Sequence, residues 1–502
     1  MPVNNKKQVK HQSSPNSAIS SGFVPSFWGV QKHNVENVLA LKLEMKQFPE
    51  DVKYRKQLML NAGKNPEEYY KLRSVIGLGE IKSIMKDFNE NESAYSVGVD
   101  DENIKNHTIR ANLHIHTLAS DGYLSTQELL DKAAAYADEA AKIPSQAKEP
   151  FTIAITDHDT TEGAKEAIEI ISNNPQKYKN LRVILGTEFT TYNNIATNIV
   201  DAATNTHVLA YGIDPNEKTY NKFISDTKHK KQQLAQMMID KANKIYQDAF
   251  KTEDDFFLLP QARSMYNPLN KNIIGIYNYV EYYVKTKMVI DEVILKTPAL
   301  VEKLEQKNMP LNVDEFMADM IDFYYDMDKN NKPRVAIDSI PMFLAAKLDM
   351  SESDVKETIQ NAPKSEEFRE FQKNVKEDLA EYKRTLTPKY DYMPTISDVY
   401  DALSEQKNTM LGLAHPLDPA SQVEGAEKQY EFLTDYYNQF KAQAKEKAGF
   451  SEAYYQSYVG DMKEFQDKEE TNTMVNELSQ RLGLFKTGSA DSHRTNIFKR
   501  LY

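Results

Sequence analysis

The stretch Ala111–Gly122, ANLHIHTLASDG, is a short apolar strand that ends in His114 and His116 and runs into a turn at Asp121-Gly122. Side chains alternate along an extended strand, so residues two apart share a face. Both imidazoles therefore point one way, and the turn can bring the Asp121 carboxylate back beside them. Imidazole and carboxylate are ligand types for zinc, manganese and iron. Alone, a His-x-His pair reads equally well as two packed or solvated strand histidines. It gains weight because the same pattern, a strand end followed by a ligand-type residue, recurs along the chain.

Outward from this stretch, Ser125 and Glu128 have the capping-box spacing that opens a helix over TQELLDKAAAYADEAA. The strand FTIAIT (151–156), the helix TEGAKEAIEIIS, the strand LRVILG (181–186) and the strand HVLAYGI (207–213) follow. Strands alternating with helices of this length predict parallel βα units, in an open sheet or a barrel. After Pro215 the alternation stops. Up to Leu411 the one glycine is Gly275, and prolines at 260, 268, 298, 310, 333, 341 and 363 separate helix-period stretches such as FISDTKHKKQQLAQMMIDKANKIYQDAF. The alternation resumes with MLGLAHP (410–416), the helix EKQYEFLTDYYNQFKAQAKEK, a strand near AYYQSYVG, the helix NTMVNELSQRLG and the strand LFKTGS. A helical block thus interrupts a single βα domain. The expected division is a disordered polar tail over 1–34, a small helical extension over 35–106, barrel segments over 107–214 and 396–502, and a helical insertion over 215–395.

The 502 residues suffice for a substantial core, and 40% hydrophobic with 27% charged residues fits a globular protein. A net charge of −12 argues against a basic surface that grips nucleic acid, though a local metal charge could still accept a nucleotide or a strand end. The absence of cysteine excludes disulfides, thiolate metal sites and cysteine nucleophiles. No apolar run reaches the length of a membrane span, and the start MPVNNKKQVKHQSS lacks the apolar core of a secretory signal. A cytoplasmic location is expected, with no membrane partner; nothing in the residues points to a protein partner.

Candidate ligands sit at the strand ends. His114 and His116, with Asp121 beyond, come first; Asp157-His158-Asp159 follows in ITDHDT, Glu188 in GTEF, His207 at the head of the next strand, His415 in LAHP, and Asp491 and His493 in GSADSH. In α/β barrels and open sheets the carboxyl ends of parallel strands face one crevice. Six of the ten histidines occupy these places.

The motifs LHIHTLASDG, ITDHDT, GTEF, HVLAYGID, LAHP and GSADSH resemble, in combination, those of the PHP (polymerase and histidinol phosphatase) family of metal-dependent phosphoesterases. They are closest to its branch of nucleotide phosphatases and 5′–3′ exonucleases, whose motifs run HxHxxxSDG, TDHDT, GxE, H, AHP and GSDxH. The similarity covers roughly 108–215 and 385–493, and TPKYDYMPTISDVYDAL resembles the return of that family's helical insertion. The resemblance implies a distorted (β/α)7 barrel holding two or three divalent ions (Mn, Fe or Zn) in its mouth. It implies that His114, His116, Glu188 and Asp491 hold one metal. Glu188 would bridge to a second, completed by His207 and His415, and Asp121, His158 and His493 would hold a third. Hydrolysis would then centre on His114, His116, Glu188, Asp491 and His493. Asp157 and Asp159 would orient ligands from behind.

Such a metal cluster suits hydrolysis of a phosphate ester by an activated water, on a small phosphorylated substrate such as a nucleotide or the 5′ end of a short oligonucleotide. Three departures from the family pattern stand out. Ala490 separates Ser489 from Asp491; Leu417 and Asp418 follow AHP where many relatives carry an arginine, which leaves Arg494 as a phosphate-binding residue by position alone; and the insertion is longer than usual. The competing readings are a histidinol-phosphatase-like enzyme, and an inactive metal-binding or scaffold protein.

Overall fold

Seven strands form one sheet in sequence order: β1 (Ala111–Ile115), β2 (Phe151–Ile155), β3 (Leu181–Asn193), β4 (Thr204–Tyr211), β5 (Met410–Leu413), β6 (Ala448–Tyr455) and β7 (Phe485–Ser489). The computed structural model describes residues 42–90, 104–144, 151–193, 204–250, 288–313, 340–362, 393–420, 425–455, 468–493 and 496–498, with single residues between some of these spans. The tail expected over 1–34, the prolines at 260, 268, 333 and 363, and Arg494 lie outside the described residues. The chain divides into Met1–Gln47, where residues 42–47 are helical, and Phe48–Tyr502, to which everything below belongs.

The sheet is parallel from β1 to β3 and from β5 to β7, but β4 runs antiparallel to both its neighbours. The expectation of parallel βα units fails at this strand. The link from Asn193 to Thr204 is too short for a crossover helix, so the chain turns straight back. The residues after β7 bring the sheet to near closure: His116 N–H donates to Ser492 O (2.9 Å) and Ser492 N–H to His114 O (3.0 Å). The result is a distorted seven-stranded α/β barrel.

Alternation along the strands sorts side chains into two layers. Ile153, Ile155, Val183, Leu185, Val208, Ala210, Leu411 and Leu413 face outward. There they pack against α3 (Thr126–Ala140), α4 (Glu162–Asn173), α9 (Ile396–Leu403), α11 (Ala426–Ala444) and α12 (Lys468–Arg481). Ala154, Ile184, Leu209, Tyr211, Met410 and Phe450 form the inner cluster. In β1 the register shifts between Asn112 and Ile115. Ala111 and Leu113 therefore join the inner cluster while Ile115 joins the outer one. Phe450 stacks on Tyr211 with ring centroids 4.4 Å apart, and fills the space a side chain at Gly412 would need, within 2.2 Å of its would-be Cβ.

Before the barrel come α1 (Pro49–Asn61) and α2 (Leu78–Glu90). The apolar face of α2, Ile81, Ile84, Met85 and Phe88, packs into the inner cluster. These helices thus share the barrel's core. Ser74–Ile76 runs beside β3, with Ile76 N–H donating to Val183 O (3.0 Å). Ser125 and Glu128 form the expected capping box of α3.

After β4 the described residues are helical: α5 (Lys218–Phe250), α6 (Pro298–Gln306), α7 (Ile340–Leu348) and α8 (Glu352–Asn361). The junction is tied down at Asp214, whose carboxylate accepts from Asn61 Nδ2 (2.6 Å) and Asn216 N–H (3.0 Å). The chain returns beside β3, where Tyr192 N–H donates to Pro394 O (2.8 Å), and enters α9 through a Thr395–Asp398 capping box. A short helix, α10 (Leu417–Ala420), follows β5. Among the described residues no helix is long and apolar enough to cross a membrane.

Candidate metal centre

Glu188 is the centre of the site. It faces inward from β3, and the parity of the neighbouring strands sends imidazoles toward it from several sides. Its Oε2 lies 2.8 Å from His114 Nε2, 3.2 Å from His116 Nε2 and 3.4 Å from His158 Nδ1. Its Oε1 lies 2.9 Å from His207 Nδ1 and 3.0 Å from His415 Nε2. His207 reaches this place because β4 is antiparallel: a residue near the strand's start lies opposite Thr190, two past Glu188.

Two further carboxylates flank this centre. Asp491 Oδ1 is 3.2 Å from His116 Nε2, 3.3 Å from His114 Nε2 and 3.5 Å from His493 Nδ1. Asp121 Oδ1 is 3.3 Å from His493 Nε2 and 3.5 Å from His116 Nδ1, and its Oδ2 is 3.9 Å from His158 Nε2. Every one of the residues singled out at a strand end, His114, His116, Asp121, His158, Glu188, His207, His415, Asp491 and His493, therefore enters one connected cluster. Arg494 lies outside the described residues.

The backbone that aims these groups is unusual. Asp159, His415 and Asp491 adopt φ of 47°, 27° and 44°, the left-handed region that non-glycine residues rarely occupy. Each is held by hydrogen bonds or by pinned neighbours. Asp159 N–H donates to Glu188 O (2.9 Å). Ala490, beside Asp491, is fully buried and its N–H donates to Asn112 Oδ1 (3.3 Å), so the extra residue of GSADSH is absorbed into the core. Gly122 is required by close approach: a Cβ there would lie 2.3 Å from His116 O.

Asp157 and Asp159 do different things. Asp157 Oδ1 accepts from Thr117 N–H (2.7 Å) and from the Ser120 hydroxyl (2.7 Å), and Ser120 Oγ lies 3.4 Å from His116 Nδ1. It therefore fixes the loop between His116 and Asp121. Asp159 accepts from Lys231 Nζ (2.5 Å), which comes from α5, and from Thr190 N–H (3.3 Å). After AHP, Leu417 is a buried core residue.

Sequence reasoning missed Glu452 and Lys231. Glu452 lies on β6 two residues past the inward-facing Phe450, and is fully buried. Its Oε1 is 3.0 Å from His114 Nδ1, and its Oε2 accepts from His415 N–H (2.7 Å). The signal was a lone carboxylate inside an apolar strand, but AYYQSYVG starts several residues past the start of β6. Lys231 sits in the run KHKK, which reads as a solvated helix face.

Burial alone would raise the carboxyl of Glu188, but His158, His114 and His207 around it hold it well below the usual range. Asp491 and Asp121 are likewise depressed against burial, Asp491 by His114 and His493 and Asp121 by His493 and His158. Burial would favour a neutral His116, yet Asp491 and Glu188 push it up to about 10. At His158 burial wins and the imidazole falls to about 3. Buried anionic carboxylates demand positive partners.

The residues fit divalent cations. His116 Nε2 and Asp121 Oδ1 are buried without a hydrogen bond of good geometry. Three overlapping groups bring their ligand atoms within 4.8 Å of one another: His114, His116, Glu188 and Asp491; His158, Glu188 and His207; and His116, Asp121, His158 and His493. Hard carboxylate and borderline imidazole donors of this mix suit manganese, iron or zinc.

The chain matches no protein-family profile, and no curated protein is similar to it in sequence. Among solved structures it is similar to a provisionally assigned metal-dependent phosphoesterase from Bifidobacterium adolescentis, with 17% identity over 78% of this chain and 90% of that one and a TM-score of 0.36. It is also similar to an amidohydrolase from Chromobacterium violaceum with bound sulfate and no metal, with 14% identity over 78% of this chain and 89% of that one and a TM-score of 0.38. Similarity this distant says nothing of what the chain does.

Proposed function

We propose that the chain is a PHP-type phosphoesterase that uses two or three divalent metal ions to hydrolyse a small phosphorylated substrate, a nucleotide or the 5′-phosphorylated end of a short oligonucleotide. The observation that carries this reading is the single carboxylate, Glu188, shared by five imidazoles between two further carboxylates. A carboxylate has two oxygens and can serve two cations, whereas a neutral imidazole serves one.

We divide the overlapping groups as the family resemblance implies. His116 Nε2 is directed at Glu188 and Asp491, so it goes with His114. By the resemblance Asp121 goes with His158 and His493, and Glu188 Oε1 with His207 and His415. Cations held there would offset the charge of a phosphate and make water ionisable near neutral pH. Asp157, through Thr117 and Ser120, would keep Asp121 and His116 in register as substrate binds. The side chains of Asp121 (32% exposed) and His207 (25%) are the most open of the cluster, so substrate would approach past them.

The test is a phosphate-release screen with added Mn²⁺ over nucleoside mono- and bisphosphates, histidinol phosphate and 5′-phosphorylated oligonucleotides. Release from the nucleotide or oligonucleotide arm, abolished in His116→Ala and Asp491→Ala, is expected. No release from any arm, or full activity in both variants, would overturn the reading.

A further inference from the structure

We infer that Glu452 is a positioning residue that couples two cations of the centre, by holding one ligand of each at the same time; the inference rests on the metal reading above. His114 turns Nε2 toward Glu188 and Asp491, at 2.8 and 3.3 Å, and Nδ1 toward Glu452 Oε1 at 3.0 Å. His415 turns Nε2 toward the other oxygen of Glu188, at 3.0 Å, while its backbone N–H donates to Glu452 Oε2 at 2.7 Å. Glu452 thus grips behind both ligands, and Glu188 stands in front of both. The two histidines come from β1 and from the turn after β5, strands that are not neighbours, so no ladder hydrogen bond fixes their spacing. Glu452 does so with one rigid group. It also holds His415 at its left-handed φ of 27°, a conformation that persists only when its surroundings over-determine it. A ring nitrogen that ligates a metal commonly has its other N–H on a carboxylate, which sets the ring's orientation and strengthens the ligand. Here one carboxylate does this for one imidazole and aims a second through its backbone.

Both partners of Glu452 are donors, and that makes Glu452→Gln informative. The amide keeps the shape, but has one acceptor oxygen and turns its NH₂ toward the remaining donor. The experiment is calorimetric Mn²⁺ titration of the full chain and of Glu452→Gln, with thermal melts of both metal-free proteins. Mn²⁺ affinity is expected to fall about 10- to 100-fold for two of the bound equivalents, with the metal-free melting temperature held and turnover restored by excess Mn²⁺. A purely structural role would instead lower the metal-free melt and resist rescue by Mn²⁺, which would overturn the proposal. Unchanged Mn²⁺ affinity, or weakening confined to one equivalent, would also overturn it. If the Gln variant does not fold, Glu452→Asp takes its place. It keeps the charge but is one methylene too short to span both donors, so parent-like Mn²⁺ binding in it counts against the proposal. A parent chain that takes up no Mn²⁺ overturns the metal reading itself, an outcome distinct from a parent that binds and a variant that binds equally well.

Discussion

The strand ends of the barrel and the first turns of α5 meet at the same corner, but they are held there differently. Glu188 and His207 are aimed by strand parity and ladder register, and His114 by the register shift in β1 that turns it inward beside Leu113. The helix α5 is attached by side chains: Lys231 Nζ on Asp159 (2.5 Å), and the Tyr220 hydroxyl on Thr187 Oγ1 (3.0 Å). The difference teaches where the chemistry can be tuned. Changes to the cluster should remove function, whereas a change at Lys231 should adjust it, because Asp159 is the neighbour of His158 and Lys231 steadies that turn from outside.

The largest effect should come from Glu188→Gln, which removes the shared carboxylate: phosphate release is expected to fall by about 10³-fold or more, measured at saturating Mn²⁺. A variant within tenfold of the parent would break the barrel half of the comparison. Lys231→Met should be milder. It leaves Asp159 buried without its cation, a loss of up to about 3 kcal/mol in urea melts because Asp159 can take up a proton, with activity down about tenfold through a looser His158. Activity at the parent level would show that α5 is only attached to the site.

At the junction, burial pushes the Asp214 carboxyl up to about 6. A raised folded-state value means that the fold prefers the protonated acid. Its contribution is therefore full below about pH 4 and is lost as pH rises through about 6. The parent should lose up to about 3 kcal/mol across that window relative to Asp214→Asn, read from denaturant melts at several pH values. Parallel curves would place Asp214 in water. The smallest effect is expected from Tyr220→Phe, about 1 kcal/mol of stability for the lost hydrogen bond, with unchanged turnover.

The fold was legible where hydrophobic period and helix caps agree, as at Ser125–Glu128 and in the short strands β1 and β2. Site residues were legible where they stand two apart at a strand end, as in His114 with His116 and Asp491 with His493. Three things were hidden, each for a physical reason. The direction of β4 depends on the length of a link and not on the strand's own residues. An amphipathic helix such as α2 shows which face it buries but not against what. Glu452 and Lys231 act through partners more than 30 residues away, and a single charge in a strand or a lysine run carries no spacing that would announce it.

The account turns on whether these side chains share cations. Metal analysis of the purified full chain, after dialysis into Mn²⁺ and removal of the excess, tests that most directly. Two to three equivalents in the parent, a higher melting temperature than the metal-stripped chain, and fewer equivalents in His116→Ala with Asp491→Ala are the results expected. A folded parent that retains no metal and melts at the same temperature with and without it would contradict the account.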